Sequence, residues 1–265
     1  WVVFSREVLE RNPNLLGGKS VMNLAEPGMS TPLYPLSPDT TAASFIPKLM
    51  HKPHAGSFTS SCGLCFYSGS ALPKHRGSFF ICEPAQNLVH CRFPVETGDT
   101  FTSRPSTKGR EFLASPDQWF RPVFAANGPD GALYLCDMYR KYVDHPNYLP
   151  DKAAAKLDFD AGKKRGRIWR ISARGRPLNK PPALAAMTAG ELCKQLAAPT
   201  RWVSQQAKLR LMDLPKAEAL AATRGWVKSL DAGDPELEHK LYEAIGVFES
   251  HEEVNRPLLE RLLKA

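Results

Sequence analysis

No apolar run in this 265-residue chain approaches the roughly 18 to 20 residues that a membrane helix needs. The N-terminal residues also lack the basic, apolar and small-residue order of a secretory signal, so export is not read from them directly. The sequence opens on Trp1 rather than Met, and the expectation is a piece of a larger protein. A nucleic-acid-binding motif is missing too, although the net charge is +8. Part of that charge sits in Lys163-Lys164-Arg165-Gly166-Arg167-Ile168-Trp169-Arg170 and Arg174-Gly-Arg176. Phosphate binding draws on such clusters, but the alternation from Arg167 to Ile171 suits a strand with charged residues at its edges. A solvated linker is the reading, and no nucleic-acid partner is expected. What is present, 43% hydrophobic residues, is normal for one large domain or two ordinary ones and argues against disorder throughout.

The chain changes period near Pro181-Pro182. After it, glycine and proline thin out, and Leu192, Leu196, Val203, Ala207, Leu211, Leu220, Val227, Leu230, Leu237, Leu241, Ile245, Leu258 and Leu262 recur at three- and four-residue steps. That spacing predicts about five short helices, each with one buried face. Thr188 followed by Glu191 is a capping box, and Pro199, Pro215, Pro235 and Pro257 fall near helix starts. Helices this short bury little alone, so a stack of antiparallel pairs of HEAT-like type is expected, with a small irregular bundle as the alternative.

Before Pro181, β-rich runs are separated by Gly, Pro, Asn and Asp. One unit reads as strands over 58–67, 78–82 and 87–93 and a fourth between Thr100 and Phe112; a second unit reads as strands over 121–126, 132–136 and 166–171. In Gly128-Pro129-Asp130-Gly131, Pro presets φ, Asp bonds back to the chain and Gly tolerates positive φ, so Asp130 is read as structural. Phe79-Phe80-Ile81 and Leu133-Tyr134-Leu135-Cys136 are apolar at successive positions, which suits sheets covered on both faces, as in stacked propeller blades. The expected fold class is all-β propeller blades followed by an all-α helical segment. The expected domains are an irregular segment over 1–57, two C-terminal blades over 58–178, a linker over 179–187 and helical repeats over 188–265.

Phe58-Thr-Ser-Ser-Cys-Gly63, Cys82-Glu-Pro-Ala-Gln-Asn-Leu-Val-His90, Glu111-Phe-Leu-Ala-Ser115, Trp119-Phe-Arg-Pro-Val123, Gly128-Pro-Asp-Gly-Ala-Leu-Tyr134, Asp137-Met-Tyr-Arg140 and Asp144-His-Pro146 follow one another in this order. With Gly166-Arg-Ile-Trp-Arg170 and Arg201-Trp202, they resemble the membrane-bound dehydrogenase family of planctomycete-type bacteria over roughly residues 58 to 265. The resemblance implies a quinoprotein sugar dehydrogenase-like propeller, HEAT repeats and a c-type cytochrome domain. It also implies export to the periplasm, with membrane association through other segments. The implied activity is oxidation of a sugar or alcohol through pyrroloquinoline quinone (PQQ) with calcium, electrons passing to haem. This sequence holds no Cys-x-x-Cys-His motif, so the haem belongs to a domain outside the chain. The alternative is a non-catalytic scaffold that binds carbohydrate or a partner protein.

In a meander, the loop entering the first strand and the loop leaving the second share one end of the sheet. That end gathers His51, His54, Glu83 and Asn87 in the first unit, and Asp117, Trp119, Arg121, Asp137, Arg140, Asp144 and His145 in the second. Arg121 and Arg140 have the fork to clamp a carboxylate, and Asp137 or His145 to take a proton or a metal bond. Alternatively, Asp137 caps the loop after its strand and Arg140 pins that loop. Cys62-Gly-Leu-Cys65, with Cys82, His90 and Cys91, suggests zinc on paper, but strand residues three apart face opposite sides, and no metal site is expected. Pairing the hairpin about its turn sets Cys62 opposite Cys82, either as a disulfide or as two buried thiols.

Overall fold

The computed structural model describes residues 31–36, 56, 58, 60–98, 100–143 and 151–265. The expected segment over 1–57 lies largely outside them, as do His51, His54, Asp144 and His145. A β region leads into a helical region, as the change of period predicts. The first antiparallel sheet runs β1 (Cys62–Tyr67), β2 (Ser78–Glu83), β3 (Leu88–Thr97) and β4 (Thr100–Pro105), with the short β5 (Leu113–Ala114) also on β3. The second runs β6 (Pro122–Asn127), β7 (Leu133–Asp137) and β8 (Arg167–Ile171). Among the described residues of 58–135, the only helical pieces are 3-10 turns of three residues, Pro73–His75 and Pro84–Gln86.

Local chemistry sets each connection. Between β2 and β3 the Pro84–Gln86 turn ends on Asn87 at φ 58°, the left-handed region that asparagine tolerates better than most residues. Between β6 and β7, Gly131 takes φ 82°, and the Gly128 N–H donates to the Ala132 carbonyl at 2.8 Å. Asp130 Oδ1 accepts from the Ala132 N–H at 3.1 Å and Oδ2 from the Tyr134 hydroxyl at 3.0 Å, so this carboxylate is consumed by its own turn. Along β2, Ser78, Phe80 and Cys82 are buried while Phe79 and Ile81 are half-covered, the period of two that a pleated strand imposes.

The helical region holds α2 (Ala189–Gln195), α3 (Arg201–Asp213), α4 (Lys216–Ser229), α5 (Leu237–Ser250) and α6 (Arg256–Leu262), preceded in the chain by the single turn α1 (Asp151–Ala154). Its core takes Leu192, Leu196, Val203, Ala207, Leu211, Leu220, Leu237, Leu241 and Leu258 from the periodic set, with Val227, Leu230, Ile245 and Leu262 packed at its margin. The pattern passed over Trp226, Val247 and Phe248, which are buried in the same core. Helix α2 packs on α3 and α4, and α5 on α3, α4 and α6.

The capping box is formed. The Glu191 N–H donates to Thr188 Oγ1 at 3.3 Å, and the Thr188 N–H donates to Glu191 Oε2 at 2.8 Å. The backbone bond from Thr188 holds the Glu191 carboxyl below its ordinary value of 4.5. A lowered carboxyl contributes stability above its unfolded value, lost as the pH falls through the folded one. Thr188→Ala should cost about 1 kcal/mol near neutral pH through the lost N-cap, and the deficit should shrink in acid, as urea titrations at neutral and acid pH will measure.

The described residues divide into two compact units. One comprises those up to Phe66, Gly77–Ala126 and Leu135–Trp169; the other comprises Tyr67–Arg76, Asn127–Tyr134 and Arg170–Ala265. In the second unit the segment after β8 is tied down rather than loose. The Ala173 N–H donates to the Ala71 carbonyl and the Asn179 N–H to the Asp130 carbonyl, each at 2.9 Å. Asn179 Nδ2 donates to Ser70 Oγ at 2.9 Å, and the Tyr67 hydroxyl to the Gly131 carbonyl at 2.6 Å.

Candidate functional site

Arg121 leads into β6 and Asp137 ends β7, and the hairpin brings them together. The Arg121 N–H donates to Asp137 Oδ1 and the Met138 N–H to the Arg121 carbonyl, each at 2.9 Å. Asp137 Oδ1 also accepts from the Tyr139 N–H at 2.9 Å, and Oδ2 from Arg167 Nε and Trp169 Nε1, both at 3.2 Å. Asp137 is thus a buried cap on the loop after β7, and its oxygens are spent on four donors. The Arg167 guanidinium lies 3.8 Å from the centre of the Tyr139 ring, whose other neighbour is Trp119 at 5.7 Å between centroids.

The guanidinium of Arg121 is fully buried. Its Nε donates to the Arg140 carbonyl at 2.9 Å, Nη1 to the Pro84 carbonyl at 2.8 Å, and Nη2 to the Lys141 carbonyl at 2.7 Å. A planar fork of five N–H groups suits two loops whose carbonyls have no ladder partner, because an unbonded buried carbonyl is costly. Arg121 therefore binds its own main chain, and the geometry gives its fork the role of a brace. Asn87 extends the brace, with Nδ2 donating to the Phe120 carbonyl at 2.6 Å and the Gln118 carbonyl at 3.1 Å. Its Oδ1, like Nη1 of Arg140, is buried without a hydrogen-bond partner among the described residues. Asp117 Oδ1 accepts from the Trp119 N–H at 2.9 Å within one turn, and the Glu83 carboxylate accepts from the Ser60 N–H at 3.0 Å. His145 lies outside the described residues.

All six cysteines are free thiols, so the possible Cys62–Cys82 bridge is not formed. The count about the hairpin assumes regular strands, and Gly63, beside Cys62, takes φ 58°, which breaks the alternation of β1 at that end. Burial, with Cys62, Cys65 and Cys136 nearby, pushes the Cys82 thiol up to about 12. Burial and the Glu83 carboxylate also raise the Cys62 thiol. Only the thiolate alkylates readily. Iodoacetamide treatment of the folded protein near neutral pH should therefore leave Cys82 unmodified, as peptide mass mapping will show.

A second polar group was not singled out as a site in the sequence. His90 Nδ1 and Glu111 Oε2 lie 2.6 Å apart, with side chains 3% and 1% exposed. A carboxylate only accepts, so Nδ1 carries the proton, and Nε2 is left as an acceptor facing Arg92 Nη1 at 3.4 Å. The Tyr34 N–H donates to Glu111 Oε1 at 3.0 Å, and the Phe58 ring stands edge-on to His90 at 5.5 Å. Beside them is a cavity of about 260 Å³ lined by Thr31, Tyr34, His90, Arg92, Lys108 and other residues. His90 and Glu111 are twenty-one positions apart and share no motif. Only the pairing of β5 on β3, Leu88 with Ala114 and Val89 with Leu113, brings them together.

Among the described residues no group of three His, Cys, Asp or Glu side chains is placed to hold a metal ion, and no helix is long and apolar enough to cross a membrane. No curated protein and no solved structure matches the chain. A family model described as a domain of unknown function, DUF7133, matches residues 1–175, and the chain belongs to that family.

Proposed function

We propose that this chain is a scaffold portion of an exported, quinoprotein-like dehydrogenase, and that its own contribution is binding and positioning rather than redox chemistry. In this reading the two sheets are successive β-propeller blades and α2–α6 are HEAT-like repeats. The whole protein oxidises a sugar or alcohol in the periplasm and passes electrons to a cytochrome c domain outside the chain. The commitment of Arg121 to three loop carbonyls carries the scaffold reading, because the side chain best suited to clamp an acidic cofactor is already occupied. Exposed apolar side chains on the strands, Leu64, Phe66, Phe124 and Ile168, support stacking against neighbouring blades.

The described residues do not fit PQQ with calcium. Calcium takes six to eight oxygen ligands, whereas among the described residues no cluster of acidic side chains is in place. The proposal therefore places the quinone elsewhere in the full-length protein. The test is substrate-dependent dye reduction and a quinone absorption band in full-length protein from its native host, wild type against Arg140→Gln and Trp119→Ala. Both variants should keep the band and reduce dye as wild type does, since in this reading neither side chain touches the quinone. Loss of the band in a variant with unchanged melting would overturn the scaffold reading, and a wild-type protein without band or dye reduction would overturn the dehydrogenase.

A further inference from the structure

We propose that the cavity beside His90 is a binding site for a small hydroxy acid, with its carboxylate on Arg92 and Lys108 and its hydroxyl donating to His90 Nε2. Arg92 is set in place before any ligand arrives: Nε donates to Ser103 Oγ and Nη2 to the Ser103 carbonyl, both at 2.7 Å. One edge of the fork is thus fixed, while among the described residues Nη1 has only its 3.4 Å contact with His90. A carboxylate offers that nitrogen a shorter, charge-assisted bond. Lys108 lines the same cavity from the exposed side.

Glu111 supplies negative charge nearby, yet both of its oxygens are engaged, one by His90 Nδ1 and one by the Tyr34 N–H. It fixes the His90 tautomer and leaves a lone pair on Nε2 toward Arg92. A bare anion has nothing to donate to that lone pair, and a neutral sugar brings no negative charge to the two cations. A molecule carrying both groups satisfies all three side chains, which is why the geometry points to a hydroxy acid. A cavity of about 260 Å³ is of a size for a small organic acid. The arrangement resembles binding sites in which a few polar groups converge on a concave surface.

Titration calorimetry on the full chain, with D-glucuronate, D-glucose and acetate as probes, tests the proposal. D-Glucuronate should bind, with acetate and D-glucose each weaker by about tenfold or more, because each lacks one of the two groups. Arg92→Gln and Lys108→Gln should each weaken D-glucuronate by about tenfold. Lys108 is exposed, so its variant reads the site without disturbing the core. Acetate binding as tightly as D-glucuronate would reduce the pocket to an anion site and overturn the hydroxyl contact. Equal binding of D-glucose, no binding of D-glucuronate, or an unchanged affinity in both variants would overturn the proposal outright.

Discussion

Arg121→Ala should destabilise the protein by on the order of 3 kcal/mol or more, because each buried carbonyl left without a donor costs about 1–3 kcal/mol. The truncation removes the donors to the Pro84, Arg140 and Lys141 carbonyls at once. Arg121→Lys should recover little, since a single ammonium cannot reproduce a planar fork aimed at separate loops. Thermal melting and hydrogen exchange of the amides around 84–86 and 138–141 will measure it. A variant that melts with wild type but loses a ligand would show that the fork serves a bound molecule instead.

Gly63→Ala should cost about 3 kcal/mol, combining left-handed backbone strain of about 1–2 kcal/mol with overpacking of about 1–3 kcal/mol. Gly63 sits inside β1 at φ 58°, and an added Cβ would lie 2.6 Å from both the Phe124 Cα and the Val123 carbonyl oxygen. These are main-chain atoms of β6, which cannot rotate aside as a side chain would. The denaturation midpoint followed by circular dichroism is the readout. A cost below about 1 kcal/mol would mean that β1 and β6 separate at little expense, contrary to so close an approach.

Much of the element order was legible from residues alone, because Gly128-Pro-Asp-Gly131 and the three-and-four spacing after Pro182 encode local geometry. Thr188 and Glu191 announced their own cap for the same reason. The hairpin argument also placed Arg121 and Asp137 together. Asp137 as a cap was one of the two readings, but the role of Arg121 was not legible, since an arginine that clamps a ligand and one that holds loop carbonyls have the same spelling. The difference lies in which acceptors the fold brings within 3 Å, and those come from Pro84 and Lys141, far from Arg121 in the chain. His90 and Glu111 escaped because β5 is only two residues long, too short to signal itself by alternation. Cys62 and Cys82 stayed open between a bridge and two thiols, because strand alternation does not foresee the left-handed backbone at Gly63.

The helical region's compact unit draws on three separated stretches, 67–76, 127–134 and 170–265. A single cut near residue 179 would release the helices without Arg76, which donates to the Pro199 carbonyl, and without the hairpin tips that hold Asn179, which donates to Thr200 Oγ1. An expression fragment beginning at 188 would thus lack partners that no downstream sequence supplies. In evolutionary terms, the helical array could not be transplanted by one recombination event and keep those contacts. Any gene fusion or exchange that preserves them has to carry both hairpins along with the helices.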